Sequence, residues 1–399
     1  MKWYLTSILF ITFSALFAQS EIAPYVQCLQ NQNQSPKDYI FELFETNDIV
    51  ILGERDHRDT TQYDLILDIL SDPRFIDNVE HVYTEIGVVN QTDLANQVLK
   101  GNYKDDKAFE EAFVKLYRDL DYHIIWDKYN MVKYLKGIYH INQTLPEEKK
   151  LTVGLTDCPF DWNGMTHEKY QEFAKKYLYT FNVRDSVMAH NFVTLYESQK
   201  PVNGRKKALL IQSRPHAINL NTTYQGVKTK RVGSFLKEKY GEKAKVIAFN
   251  WYNWVPPEMK NKRYGKARKI ELSADGKWDA AFEISGKKAT GFDIQNTPFG
   301  LTGFDYIYDQ DIKYQDIIDG IIFYQPFYAF KCTRGLPGIV DRKLARVLIN
   351  RNDIVNGNDS YSKEWSVRDE HLDWKEFRDF DCNEYYEDMK EQMNKWIND

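Results

Sequence analysis

Four side chains able to move a proton, Glu54, His57, Glu85 and His216, each stand at or just beyond the end of a short apolar run. Glu54 and His57 belong to DIVILGERDHRDTT, Asp48 to Thr61, where the run Ile49 to Leu52 stops at Gly53. Glu85 closes a run that begins at His81, and His216 follows Ala208 to Gln212 through Ser213, Arg214 and Pro215. A histidine flanked by carboxylates is held in one orientation with its charged form favoured, which suits a base that takes a proton from water near neutral pH. Two imidazoles and two carboxylates equally suit a divalent metal such as zinc, manganese or iron, so residue types alone leave both chemistries open. A lone strand-end acid more often caps a helix, and recurrence at several sheet termini lifts this set above that reading.

Other chemistries find less support. Ser213 and Ser234 lack the neighbours of a G-x-S-x-G elbow, and Ser285 lies in an irregular region, so a serine hydrolase is not expected. Neither G-x-G-x-x-G nor a P-loop occurs, which leaves nucleotide cofactors without a motif. Cys28, Cys158, Cys332 and Cys382 are far apart, so a cysteine-built zinc site is not expected and one or two disulfides are, with Cys332–Cys382 the preferred pair. Asp157, after the run Leu151 to Leu155, reads as a group that orients a neighbour. The remaining histidines, His81, His123, His140, His167, His190 and His371, read as structural.

The elements that must hold these groups alternate. Strands are predicted at His81–Ile86, Leu151–Leu155, Ala208–Gln212, Val246–Asn250 and Ile317–Tyr324, besides the one ending at Gly53. Between them lie helices opened by Pro36, running from Thr61 to a stop at Pro73, from Trp126 to Asn142, through His167–Ser198, and from Val232 to Tyr240. This predicts an α/β fold with a mostly parallel central sheet flanked by helices, helical insertions and a helical C-terminal extension, its site at the strand ends. Residues before Ser35 show little pattern, and the text after Trp254 is irregular, with short strands read at Ala280–Ile284 and Tyr306–Tyr308. Arg342–Asn350 reads as a helix in the extension.

The N-terminus has Lys2, an apolar core from Leu5 to Phe17 and Ala18, the layout of a cleaved signal peptide, and no later apolar run is long enough to span a membrane. The expected division is 1–18 signal peptide, 19–330 α/β domain and 331–399 extension, in a secreted or periplasmic protein. A net charge of −5 argues against nucleic acid as partner. Aromatic content of 15% suits a sugar-facing cleft, but a large core accounts for it equally well.

In order along the chain, these residues resemble the erythromycin esterase family. Gly53-Glu54-Arg55-Asp56-His57 is similar to its strand-then-G-E-x-x-H opening, Glu85 to the glutamate closing its next strand, VLKG at Val98–Gly101 to a helix end and GLTD at Gly154–Asp157 to a glycine and aspartate before its central helices. RDSVMAHN, Arg184 to Asn191, resembles its R-D-x-x-M-A-x-N helix and is the most specific match; QSRPHA carries over His216, and Val232–Phe249 resembles a G-x-x-L helix, turn and strand. The likeness covers roughly Asn47 to Trp251, with Asp319–Tyr324 as a final strand. It implies an esterase not of the serine type and without a resident cofactor. In that reading His57 activates water, Glu54 and Glu85 position the histidine and the water, His216 helps stabilise the oxyanion, and Arg184 supports the site. Arg58 and Asp59 stand where the family has glycine and threonine, and Ser213 and Arg214 replace a histidine and asparagine. The resemblance therefore does not carry over a macrolide substrate, and Arg55, Arg58 and Arg214 are expected to bind an anionic one, a small-molecule or glycan-derived ester. Related haem-binding (ChaN-like) and metalloprotease-like families share the opening. They imply two alternatives: a divalent-metal hydrolase with His57, His216, Glu54 and Glu85 as ligands, and a non-catalytic protein that binds haem, metal or glycan.

Overall fold

The run Ile49 to Leu52 is apolar at every position because both faces of its strand are covered. Val50 and Leu52 enter one hydrophobic core and Ile49 and Ile51 the other, as the two-residue alternation of a strand requires. A computed structural model describes residues 21–180, 182–224, 227–254, 270–304, 312–357, 378–380 and 386–397.

The strand is β1 (Ile49–Glu54) of a seven-stranded sheet with β2 (His81–Val88), β3 (Thr152–Asp157), β4 (Ala208–Ser213), β5 (Ala244–Phe249), β6 (Ala289–Asp293) and β7 (Gly320–Tyr324). Their order is β6-β7-β5-β1-β4-β2-β3, parallel throughout except for β6, which runs antiparallel to β7 at one edge. The fold is α/β with a mostly parallel sheet, as expected. Register puts Glu54 level with Ser213 across the β1–β4 pair. Crossovers in a parallel sheet must be long, and they are helical here.

On one face lie α1 (Pro36–Thr46), α2 (Thr61–Ser71) and α3 (Tyr129–Gln143); on the other lie α4 (Val183–Ser198), α5 (Val232–Tyr240) and α6 (Lys277–Ser285). Ser35 caps α1 with its hydroxyl and Pro36 takes the first helical position. In the C-terminal segment, Leu344 and Leu348 of α7 (Arg342–Asn356) join the first core, and Met389 and Met393 of α8 (Tyr386–Ile397) join the second.

Several expectations need correction. Residues 21–30 form a helix that buries Ile22 and Leu29, not an unpatterned lead-in. The strand read at Ala280–Ile284 is α6, bounded by Gly276 and Gly286 at φ 84° and 68°, whose Trp278, Ala281 and Phe282 make a helical stripe. The His167–Ser198 region is two helices, His167–Tyr177 and α4, broken at Asn182 with φ 66°. The last strand begins at Gly320, because Tyr314–Ile317 forms a helical turn instead.

Cys332 is disulfide-bonded while Cys28 and Cys158 are free thiols. Cys382, its expected partner, lies outside the described residues, as do the expected signal peptide at 1–18 and the segment Tyr306–Tyr308. No helix among the described residues is long and apolar enough to cross a membrane.

Candidate active site

Where β1 ends, the loop to α2 is built by short-range polar bonds. Gln62 accepts the Arg55 N–H at 2.9 Å and donates to the Asp56 carbonyl at 2.9 Å, and Asp59 accepts the Thr61 N–H at 2.8 Å. This turn brings His57 back over Glu54, so that His57 Nδ1 faces Glu54 Oε1. The other Glu54 oxygen accepts the hydroxyl of Tyr63, in the first turn of α2. Glu54 is buried, His57 is 26% exposed, and the His57 ring meets the Trp126 ring edge-on at 5.0 Å. Burial alone would push His57 down, but Glu54, with Glu85 and Asp56 adding their fields, raises it to about 8. Nδ1 is committed to Glu54, and among the described residues Nε2 has no protein partner.

Behind this pair sits a second network, centred on Arg184 in the first turn of α4. Its Nε and Nη2 donate to the two oxygens of Asp157 at 3.0 and 2.8 Å, Nη2 also donates to Glu85 at 3.0 Å, and Nη1 donates to His216 Nε2 at 3.1 Å. Glu85 further accepts the Ser213 N–H at 2.7 Å. Burial would raise Glu85, but His216, Arg184 and His57 around it, with the Ser213 N–H, hold it well below the usual carboxylate range. Despite its burial Arg184 is held firmly protonated by Asp157 and Glu85. The next residue, Asp185, accepts from His216 Nδ1 at 2.9 Å and from the Val232 N–H at 3.2 Å. Asn191, last of the same motif, donates to the Thr156 and Asp157 carbonyls at 3.0 and 3.1 Å. RDSVMAHN thus ties the ends of β2, β3 and β4 together.

This arrangement brings Glu54, His57, Glu85, His216, Asp157 and Arg184 into one region, and it revises three roles. His216 has both ring nitrogens engaged, Nε2 against Arg184 Nη1 at 3.1 Å and Nδ1 against Asp185 Oδ1 at 2.9 Å, so neither is left for an oxyanion. The metal alternative does not fit these donors. Arg184 already stands among Glu85, Asp157 and His216 as a fixed cation, and among the described residues no three histidine, cysteine or carboxylate groups are placed to hold a metal. Arg55 turns its guanidinium inward: it pairs with Asp59, donates to Asn250 Oδ1 at 2.9 Å and the Tyr324 carbonyl at 3.0 Å, and lies 3.4 Å from the Phe330 ring centre. It secures the loop, and although the residue borders the cavity beside His57, its guanidinium is engaged within the protein.

His57 borders a cavity of about 410 Å³, together with Asp56, Arg58, Lys128, Arg214 and Tyr252. Arg58 and Arg214 are therefore where a substrate ligand would be. Sequence reasoning missed Tyr63, Trp126, Lys128, Tyr252 and the use of Asp185. His123, read as structural, holds its Nδ1 2.6 Å from the buried Asp121 carboxylate, with its ring 5.6 Å from Trp126. For Asp185 a signal existed, its place beside Arg184 in the motif; Tyr63 and Trp126 look like ordinary core aromatics.

No family model matches this sequence, and no curated protein does. Among solved structures, a succinoglycan biosynthesis protein superposes with a TM-score of 0.50 at 11% identity, over 77% of this chain and 97% of that one. At that identity the likeness is one of fold. A Bacillus cereus protein gives 0.49 at 14% identity over 76% and 97% of the two chains, and an erythromycin esterase variant in its open conformation 0.45 at 13% over 71% and 92%.

Proposed function

We propose that this chain is a hydrolase of ester bonds in which His57 takes the proton from an attacking water. One observation carries the reading: buried Glu54 at the end of the central strand paired with the partly exposed His57, whose Nδ1 is committed and whose ring lies on the wall of a cavity. Glu54, fixed by Tyr63, sets the imidazole's orientation and favours the imidazolium that forms as water is deprotonated. Charge developing on the carbonyl oxygen meets Arg58, Lys128 and Arg214 on the same wall. Glu85, Asp157, Arg184 and His216 are positioning residues that shape the field at His57. The leader-like N-terminus supports export, and the disulfide at Cys332 fits an oxidising compartment.

Hydrolysis of a broad ester and lactone panel, with His57→Ala beside the native chain, tests this. The variant is expected to lose about 100-fold or more in kcat while keeping its thermal unfolding transition. Undiminished turnover in His57→Ala would sink the proposal.

A further inference from the structure

Arg58, Lys128 and Arg214 line the cavity beside the carboxylate of Asp56, with Arg55 on the same wall but its guanidinium turned inward to Asp59, and Lys128 is itself paired with Asp127 at 2.9 Å. The Asp56 carboxylate is saturated. Its Oδ1 accepts the Arg58 N–H at 2.8 Å and Arg58 Nε at 3.0 Å, and its Oδ2 accepts Arg58 Nη2 at 2.7 Å and the Tyr252 hydroxyl at 2.9 Å. Arg214 is buried, lies 4.8 Å from the Trp251 ring centre and donates to Asn253 Oδ1 at 2.6 Å, so its direction is set before any ligand arrives. Cations ordered in advance bind an anion without the entropy cost of ordering them.

An oxyanion is one developing charge and needs one such group; Arg58 and Arg214 stand on the wall together, besides Lys128, which Asp127 already pairs. The volume of about 410 Å³ lies low in the range of ligand cavities, roughly 300–1,000 Å³, which suits a small molecule better than a macrocycle. Wall charge and cavity size together define the substrate class.

We propose that the cavity takes a small ester bearing an anionic group, carboxylate or phosphate, which Arg58 and Arg214 hold while the scissile carbonyl lies against His57. This rests on the hydrolase reading, so the test reads binding apart from turnover. The first arm compares 4-nitrophenyl butyrate with mono-4-nitrophenyl succinate, equal in chain length and differing by a carboxylate, on the full chain. The expected kcat/KM ratio favours the succinate by about tenfold or more at low salt. It should shrink at high salt, where charge recognition is screened, and shrink in Arg214→Gln and Arg58→Gln. Arg214→Lys, which keeps the charge and loses the planar fork, should retain part of the preference. If Arg214→Gln fails to fold, Arg58→Gln carries the test, since that side chain is 26% exposed. A ratio at or below one in the native chain overturns the proposal.

The second arm titrates succinate and inorganic phosphate into His57→Ala by calorimetry. Saturable binding of either supports the anion site and says which chemistry it prefers. Binding of neither overturns it, even for an active esterase. Binding without turnover of any ester removes the hydrolase reading and leaves the anion site standing.

Discussion

Replacing Glu54 with glutamine tests the electrostatics on which the site depends. Burial opposes a proton on His57, and the carboxylate of Glu54, helped by Glu85 and Asp56, overcomes that burial to lift the imidazole from 6.5 to about 8. The amide keeps the shape and can still meet the Tyr63 hydroxyl, but it carries no charge. His57 should then titrate at about 6.5 or below, a fall of about 1.5 pH units, or about 2 kcal/mol between its two protonation states. The assay is an NMR titration of the His57 ring proton, assigned with His57→Ala, alongside the pH dependence of kcat/KM. In the native chain the base form grows in as pH rises through about 8, so the proposed activity should rise over that range, and in Glu54→Gln the rise should come earlier. Stability moves oppositely. His57 holds its proton more tightly folded than unfolded, so its contribution is complete below pH 6.5 and is lost as pH rises through about 8. Urea denaturation should show about 2 kcal/mol of that decline in the native chain and little in the variant. A His57 midpoint that stays near 8 in Glu54→Gln refutes the account.

Three further outcomes are expected. Arg184→Met strips the cation from two buried carboxylates, Glu85 and Asp157, and should cost about 3–5 kcal/mol in urea unfolding. Arg184→Lys should recover only part, because the lysine cannot grip both Asp157 oxygens. Gly233→Ala drives a Cβ into the Ala217 carbonyl where α5 crosses the turn carrying His216, and should lower stability by about 1–3 kcal/mol and turnover with it; an unchanged melting temperature would contradict the close approach. A chelator should leave ester hydrolysis intact, because Arg184 stands where a metal would otherwise neutralise Glu85 and Asp157. Activity lost to chelator and restored by zinc would reverse that conclusion.

Much of the frame was legible because parallel strands buried on both faces leave an unmistakable trace, short all-apolar runs ending in polar residues. Their bounds drifted by a few residues because pairing, not composition, ends a strand: β2 runs past Ile86 to Val88 through Gly87 at φ 117°. The sequence AAFEI at Ala280–Ile284 fits a strand or one face of a helix, and only the glycines at either end of α6 decide between them. Glu54 and His57 could be paired on paper because one loop carries both. Tyr63 could not, since nothing marks one tyrosine among 27 as the one whose hydroxyl reaches Glu54. The direction of the Arg55 guanidinium was hidden for a related reason: next to Glu54, an arginine pointing into the cavity and one pointing into the protein read identically.

The loop that carries His57 is also held from a distance that no local pattern reveals. The Thr60 N–H donates to the Lys331 carbonyl at 2.7 Å, the Thr333 N–H to the Arg58 carbonyl at 3.2 Å, and the Lys331 N–H to the Thr61 hydroxyl at 2.8 Å. Phe330 lies against the Arg55 guanidinium, and Cys332, next in line, is disulfide-bonded. Residues 330–333 therefore form a strap across the back of the loop, anchored covalently at Cys332. The Glu54–His57 geometry depends on the loop being closed, because Glu54 ends a rigid strand while His57 sits three residues out on the turn. A segment that looked like an extension beyond the sheet thus fixes the distance between the proposed base and its carboxylate.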